Sequence, residues 1–320
     1  MLRKLTLALI VVFSFTATLK SQAPDSSSPK PEPIFESTTD VSKQIDLALV
    51  KTRKENRRVL VLWGRNDSEQ CIAFHKSLVG NRDIGKTLRY EYDVVRVEVD
   101  GSKKNQELVK RYGAKLATES LPFLTVVDGS GTVLASAEGS SFMVENATSQ
   151  SIHNELFQDF LTKYQSKALN AKALLENAMV KGKASNKIVF LHFGAPWCGW
   201  CHKMEDWMDE PKVASILSKA FVDLKVDTDR MEVGQELLKQ FCEKQGGIPW
   251  FAFVSPVDGT VLTNSDAPEG NVGFPSTDAE IEHFVSMLET TKRFTSDDIR
   301  LLSDSLVENR KAMEARAKKK

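Results

Sequence analysis

The chain repeats itself at an offset of about 130 residues, and this restricts its architecture more than any other property of the sequence. Leu60-Val-Leu-Trp-Gly64 matches Phe190-Leu-His-Phe-Gly194, and Gln106-Glu-Leu-Val-Lys-Arg-Tyr112 matches Gln235-Glu-Leu-Leu-Lys-Gln-Phe241. A third block, Leu121 to Leu134, answers Ile248 to Leu262; each opens on an X-Pro pair and closes on Gly-Thr-Val-Leu. Matches in one order at a nearly constant spacing mean two copies of one domain. A length of 320 residues accommodates them, at roughly 150 residues per domain.

Each copy has the same coarse pattern. An amphipathic helix (41–56; 168–180) leads into a short apolar run without alternation (59–63; 188–193), the mark of a strand buried on both faces. A polar loop and helix follow, then an alternating strand (94–100; 221–227) and another helix. A hairpin (122–135; 249–262) and a closing helix (152–164; 278–290) complete the unit. This order predicts an α/β fold, a central mixed sheet with one antiparallel edge and helices on both faces. The expected domains are 41–165 and 168–292.

The ends read differently. Residues 1–23 carry Arg3 and Lys4, then an apolar run from Leu5 to Phe15, then small and polar residues, the layout of a signal peptide cleaved between Ala17 and Ala23. The run is shorter than the ~20 residues a membrane span needs, so no stable span is expected, although an uncleaved anchor is the competing reading. Residues 24–40, rich in Ser, Pro and Thr, read as a flexible linker. Residues 293–320 have helical spacing at Ile299, Leu302, Leu306 and Met313 and end in three lysines, a basic and solvated helical tail. An exported chain, periplasmic or secreted, would keep disulfides.

Charge narrows the partners. Lys plus Arg and Asp plus Glu both number 43, so no basic field draws nucleic acid. Loss of the leader removes three bases and no acid, leaving a net charge of −3. Four cysteines are too few for a disulfide scaffold or for the paired C-x-x-C sets of a zinc ribbon.

The chemistry concentrates at Ala195-Pro-Trp-Cys-Gly-Trp-Cys-His202. A C-x-x-C between a buried strand and a helix puts Cys198 at the helix N-terminus, where unpaired N–H groups and the dipole stabilise a thiolate. Cys201 returns to the same side of the first turn, within reach of a disulfide. In the first copy Ser68 stands at the place of Cys198, while Cys71 matches Cys201. That copy has no pair to cycle, which leaves it a binding or spacing role.

Here the sequence resembles the thioredoxin superfamily, in Trp197-Cys-Gly-Trp-Cys201 after its strand and in Pro249 downstream. The resemblance covers about 120 residues of the second copy and, more weakly, of the first. It is similar to exported bacterial proteins with tandem thioredoxin-like domains, here one active (CGWC) and one degenerate (SEQC). The resemblance implies Cys198 as attacking nucleophile, Cys201 as resolving thiol and Ile248-Pro249 as a cis-proline loop facing the disulfide. Trp197, Gly199, Trp200 and Ile248 become candidates for substrate contact. The implied partners are protein disulfides or thiols and a redox partner that resets the pair, with no cofactor and no metal.

Two positions depart from that family. The residue six before Cys198, usually a buried aspartate, is His192, and its usual lysine neighbour falls at Asp223. Paired with Asp223, His192 is a candidate base for the Cys201 proton; the other reading is a satisfied histidine under the sheet. Trp200 replaces the proline common between the cysteines, so direction of exchange is unreadable. Cys198-Gly-Trp-Cys-His202 also spells a c-type haem attachment signature. A non-catalytic interaction protein with a static disulfide is the remaining class. Cys71 and Cys242 read as packed thiols, with a regulatory thiol and a place near Cys198 as their respective alternatives.

Overall fold

A computed structural model describes residues 33–35, 40–99, 105–117, 120–146, 149–242 and 246–318. The proposed leader, most of the linker and the last two lysines lie outside the described residues.

The first domain runs α1 (Val41–Glu55), β1 (Arg58–Gly64), α2 (Glu69–Gly80), α3 (Arg82–Glu91), β2 (Tyr92–Glu98), α4 (Gln106–Tyr112), β3 (Phe123–Val127), β4 (Val133–Glu138), the small ribbon β5 (Met143–Asn146) and β6 (Ser149–Ile152), and α5 (Asn154–Tyr164). The second runs α6 (Ala171–Ser185), β7 (Ile188–Gly194), α7 (Gly199–Met208), α8 (Pro211–Ala220), β8 (Phe221–Asp227), α9 (Gly234–Phe241), β9 (Trp250–Val254), β10 (Val261–Asn264), the ribbon β11 (Asp266–Ala267) and β12 (Gly270–Asn271), α10 (Asp278–Thr291) and α11 (Ser296–Ala317). The two ribbons are additions the sequence pattern does not reveal.

The sheets share one topology, β2-β1-β3-β4 and β8-β7-β9-β10. β1 pairs parallel with β2 and β7 with β8, while β3 and β9 run antiparallel to them. The reversed strand is therefore internal, not at the edge as the element order suggested. β7 is buried at every residue, which explains its unbroken apolar run. Cap chemistry repeats as well. The Asp40 and Asn170 side chains accept from the first turns of α1 and α6, and Asn56 and Asn186 end those helices at φ 51 and 53. α6 continues to Ser185, five residues past the expected end at Val180.

The second domain's sheet separates two cores. Val189, Leu191 and Phe193 pack with α6 and α9, while Phe190, Phe251 and Phe253 pack under α7, α8, α10 and α11. α11 is thus not a solvated tail. Leu302 and Leu306 are fully buried, Trp207 Nε1 donates to Ser305 Oγ at 3.0 Å, and Lys219 pairs with Asp298 at 2.6 Å. Spacing shows that a helix has an apolar stripe, and only packing shows what covers it. The linker expectation also fails at its described residues 33–35. Asn66 Oδ1 accepts the N–H groups of Ile34 and Phe35 at 2.9 and 3.0 Å, Asn66 Nδ2 donates to the Phe35 carbonyl, and Phe35 is buried.

Leu302→Ala should lower the stability of the full chain by about 2–5 kcal/mol, read from the urea midpoint. A change near zero would mean that α11 is not part of the core.

Candidate functional site

The site forms where β7 hands over to α7. Cys198 is the N-cap of α7; its Sγ accepts from the Cys201 N–H at 3.1 Å, the service that an N-cap hydroxyl usually performs. Ser68 performs it in the first domain, accepting from the Cys71 N–H at 3.3 Å, so the helix start survives the loss of the thiol. Cys198 and Cys201 form a disulfide with Cα atoms 5.2 Å apart. Both are nearly buried, at 4% and 2% exposure.

Gly194 makes the tight junction possible. A Cβ there would stand 3.2 Å from both Cβ and Sγ of Cys201 and 3.8 Å from Glu205 Oε1. The Glu205 carboxylate therefore shares the small space beside Cys201. Glu205 is 13% exposed and pairs with Lys225 at 2.7 Å. The sequence reading missed Glu205, although it follows Cys201 by four residues and so lies one turn along the same helix face.

The opposite wall comes from the loop before β9. Ile248-Pro249 is cis, as is Leu121-Pro122 in the first domain. The Ile248 carbonyl oxygen lies 3.5 Å from Cys198 Sγ, and Ile248 packs on Ala195 and both cysteines. Trp197 and Trp200 flank the disulfide at 59% and 46% exposure. Asp229 Oδ2 accepts the Trp197 indole N–H at 2.8 Å, and Lys203 sits 3.9 Å from the Trp200 ring centre. Gly199 faces open space.

His192 and Asp223 meet as their positions suggested. His192 Nε2 lies 2.9 Å from Asp223 Oδ1, and Phe190 packs edge-on against the imidazole at 5.8 Å. The ring's hydrogen bond thus goes to Asp223, while the carboxylate beside Cys201 belongs to Glu205. Desolvation opposes ionisation of Asp223, but half of its side chain is open to solvent at the edge strand β8. The charge and hydrogen bond of His192, with Lys54 and Lys225 beyond, hold the carboxyl below the ordinary range.

The first domain replaces every member of this polar set. Through the shared register Leu62 stands for His192, Val94 for Asp223 and Arg96 for Lys225, and His75 occupies the helix position of Glu205. Burial and then Arg96 push the His75 imidazole down. The copy without a cysteine pair is also without the carboxylate. Cys71 is completely buried, and Cys242 packs with Phe193 and Trp250 on the other side of the sheet from α7. His202 donates Nε2–H to the Pro196 carbonyl at 2.9 Å. Haem does not fit these residues: thioether bonds need two open thiols, and Cys201 is packed beneath Gly194. Among the described residues no cluster of His, Cys, Asp and Glu suits a metal, and no helix is long and apolar enough to cross a membrane.

A strand-helix-strand sheet with an internal reversed strand, a C-x-x-C at a helix start and a cis-proline facing it define a thioredoxin-like protein, and the thioredoxin-like domain model matches residues 45–141. The chain belongs to the family described as "Thioredox_DsbH: Protein of unknown function, DUF255", whose model matches residues 153–313, half of the chain, and reaches through most of α11. It is 32% identical over 109 residues to the uncharacterized protein B0495.5 of Caenorhabditis elegans, and 27% identical over 135 residues to human spermatogenesis-associated protein 20. These matches take in 32% and 38% of this chain but only 15% and 17% of those relatives. Among solved structures, a disulphide isomerase from Xylella fastidiosa aligns at 21% identity and TM-score 0.35, covering 42% of this chain and 98% of that one. The oxidised C-terminal domain of Neisseria meningitidis DsbD aligns at 26% identity and TM-score 0.27, covering 38% and 99%.

Asp223 has a depressed folded-state pKa, so its stabilising contribution is complete above its unfolded value near ~3.9 and is lost as pH falls through the lower folded value. The stability gap between wild type and Asp223→Asn should shrink as pH falls below ~4. Parallel urea-stability curves over the whole range would remove the charge pairing from His192 and Asp223.

Proposed function

We propose that this chain is an exported thiol–disulfide oxidoreductase that exchanges disulfides with protein substrates through Cys198 and Cys201. The observation that carries the reading is the disulfide itself, formed at the N-terminus of α7, faced by the Ile248 carbonyl and flanked by two exposed tryptophans. The first domain is non-redox and contributes to substrate binding.

In the reducing direction the Cys198 thiolate attacks one sulfur of a substrate disulfide, and the other leaves as a thiolate that takes a proton from solvent. A mixed disulfide joins substrate to Cys198. The Cys201 thiol then gives its proton to Glu205 and attacks Cys198 Sγ; the Cys198–Cys201 bond forms and the second substrate sulfur departs. Two electrons pass to the substrate. A dithiol redox partner returns them by the same steps reversed, with Glu205 handing its proton back to Cys201. The potential of the pair relative to its compartment decides which direction runs. The His192–Asp223 pair, which joins β7 to the neighbouring strand β8, tunes the field near the site.

Wild type should reduce insulin, Cys198→Ser should not, and Cys201→Ser should accumulate mixed disulfides visible on non-reducing gels. Glu205→Gln should prolong the mixed disulfide on the order of 100-fold in rapid-quench experiments. Absence of turnover, with a potential far below that of the compartment, would establish a static disulfide in an interaction protein. Export predicts a mature N-terminus between Thr18 and Pro24, read by sequencing the secreted protein.

A further inference from the structure

Arg230 stands in the turn that follows β8, and its guanidinium reaches out of its own domain. It holds Glu91, the last residue of α3, in a two-pronged ion pair: Nε to Oε1 at 2.9 Å and Nη2 to Oε2 at 2.8 Å. Nη1 donates to the Glu55 carbonyl at 3.0 Å and Nη2 to the Asn56 carbonyl at 2.8 Å. Those carbonyls belong to the C-terminal end of α1, where helix geometry leaves acceptors without partners. Arg230 and Glu91 are only 14% and 18% exposed, so water competes weakly for the pair. Asn56 is itself fixed, accepting from Ser166 Oγ at 2.6 Å and donating to the Lys167 carbonyl at 2.8 Å.

The same loop faces the disulfide. Buried Asp227 accepts the N–H groups of Asp229 and Arg230 on one oxygen, at 3.0 and 2.9 Å. Asp229 in turn accepts the indole N–H of Trp197, the residue immediately before Cys198. A continuous set of hydrogen bonds therefore runs from the ends of α1 and α3 through Arg230 and the loop to Trp197. Beside it a cleft of about 860 Å³ separates the domains, lined from both sides by Lys54, Arg57, His202, Glu205 and Lys225. The Lys54–Asp209 ion pair also crosses this cleft, but its side chains are about half exposed, so Arg230 and Glu91 form the better shielded link.

We propose that Arg230 is a positioning residue that makes the redox-dead first domain part of the redox site. Docking of α1 and α3 onto Arg230 holds the loop of residues 227–230, and the loop holds the Trp197 indole in place beside Cys198. An extended polypeptide substrate uses that indole and a small disulfide does not, so the effect falls on protein substrates. The kinetic part rests on the oxidoreductase reading; the positional part does not.

The test uses the full chain with Arg230→Ala and, as a milder change that keeps the guanidinium, Glu91→Gln. The Trp197 indole N–H resonance, assigned through Trp197→Phe, should shift in both variants. KM for insulin should rise about three- to tenfold, with kcat toward oxidised glutathione unchanged. Arg300→Ala, which removes an exposed charge on α11, should move neither readout. A wild-type resonance and KM in both variants would overturn the proposal, as would activity losses on both substrates that track the unfolded fraction. A shifted resonance in a chain that neither reduces insulin nor oxidises a dithiol peptide would uphold the positional role and sink the oxidoreductase reading.

Discussion

The close approach of Cys201 to the backbone of Gly194 is the constraint on which the site depends. With no side chain at residue 194, the first turn of α7 settles against the end of β7, with Cys201 packed on that backbone and Cys198 capping the helix. Glu205, one turn further on, is carried into the same space, and Lys225 reaches it from the neighbouring strand. The equivalent glycine in the first domain has a different neighbour. A Cβ on Gly64 would stand 2.2 Å from the ring of Phe35, so an aromatic side chain from the N-terminal segment lies against that backbone. One backbone thus supports two outcomes, a disulfide with a carboxylate nearby in one copy and an apolar plug in the other.

Loss of chemistry in the first copy extends beyond one cysteine. Leu62, Val94, His75 and Arg96 occupy the places of His192, Asp223, Glu205 and Lys225, so a balanced polar set has given way to two apolar residues and two bases. The serine that stands at the place of Cys198 keeps the helix cap, and a cis proline remains. The helix start and the proline loop are retained, and the cysteine pair with its polar neighbours is not. That domain also offers two helix-end carbonyls to Arg230 of its neighbour.

Legibility in the sequence followed the range of the interaction concerned. Strands buried on both faces appear as unbroken apolar runs, the start of α7 as Cys198, and the proline loop as a repeated X-Pro pair, because each depends on neighbours a few residues away. The His192–Asp223 pair was also accessible, since adjacent parallel strands translate a fixed offset into contact. Glu205 was visible as a residue but not as a partner of Cys201, for its meaning comes from the glycine on another element. Phe35 and α11 were misjudged for the same reason: a polar, proline-rich stretch and a charged helix look solvated until the groove that receives them exists.

By itself the sequence determined the duplication, the α/β order of each copy, and the assignment of the single C-x-x-C to a helix start. These are matters of periodicity and local backbone chemistry. Tertiary structure decided that α11 completes a core, that Glu205 shares the space under Gly194 with Cys201, and that Arg230 ties the turn after β8 to two helix ends of the first domain. Each of those depends on two surfaces separated by tens of residues arriving at the same place, where desolvation makes a hydrogen bond or an ion pair count for more than it does in water.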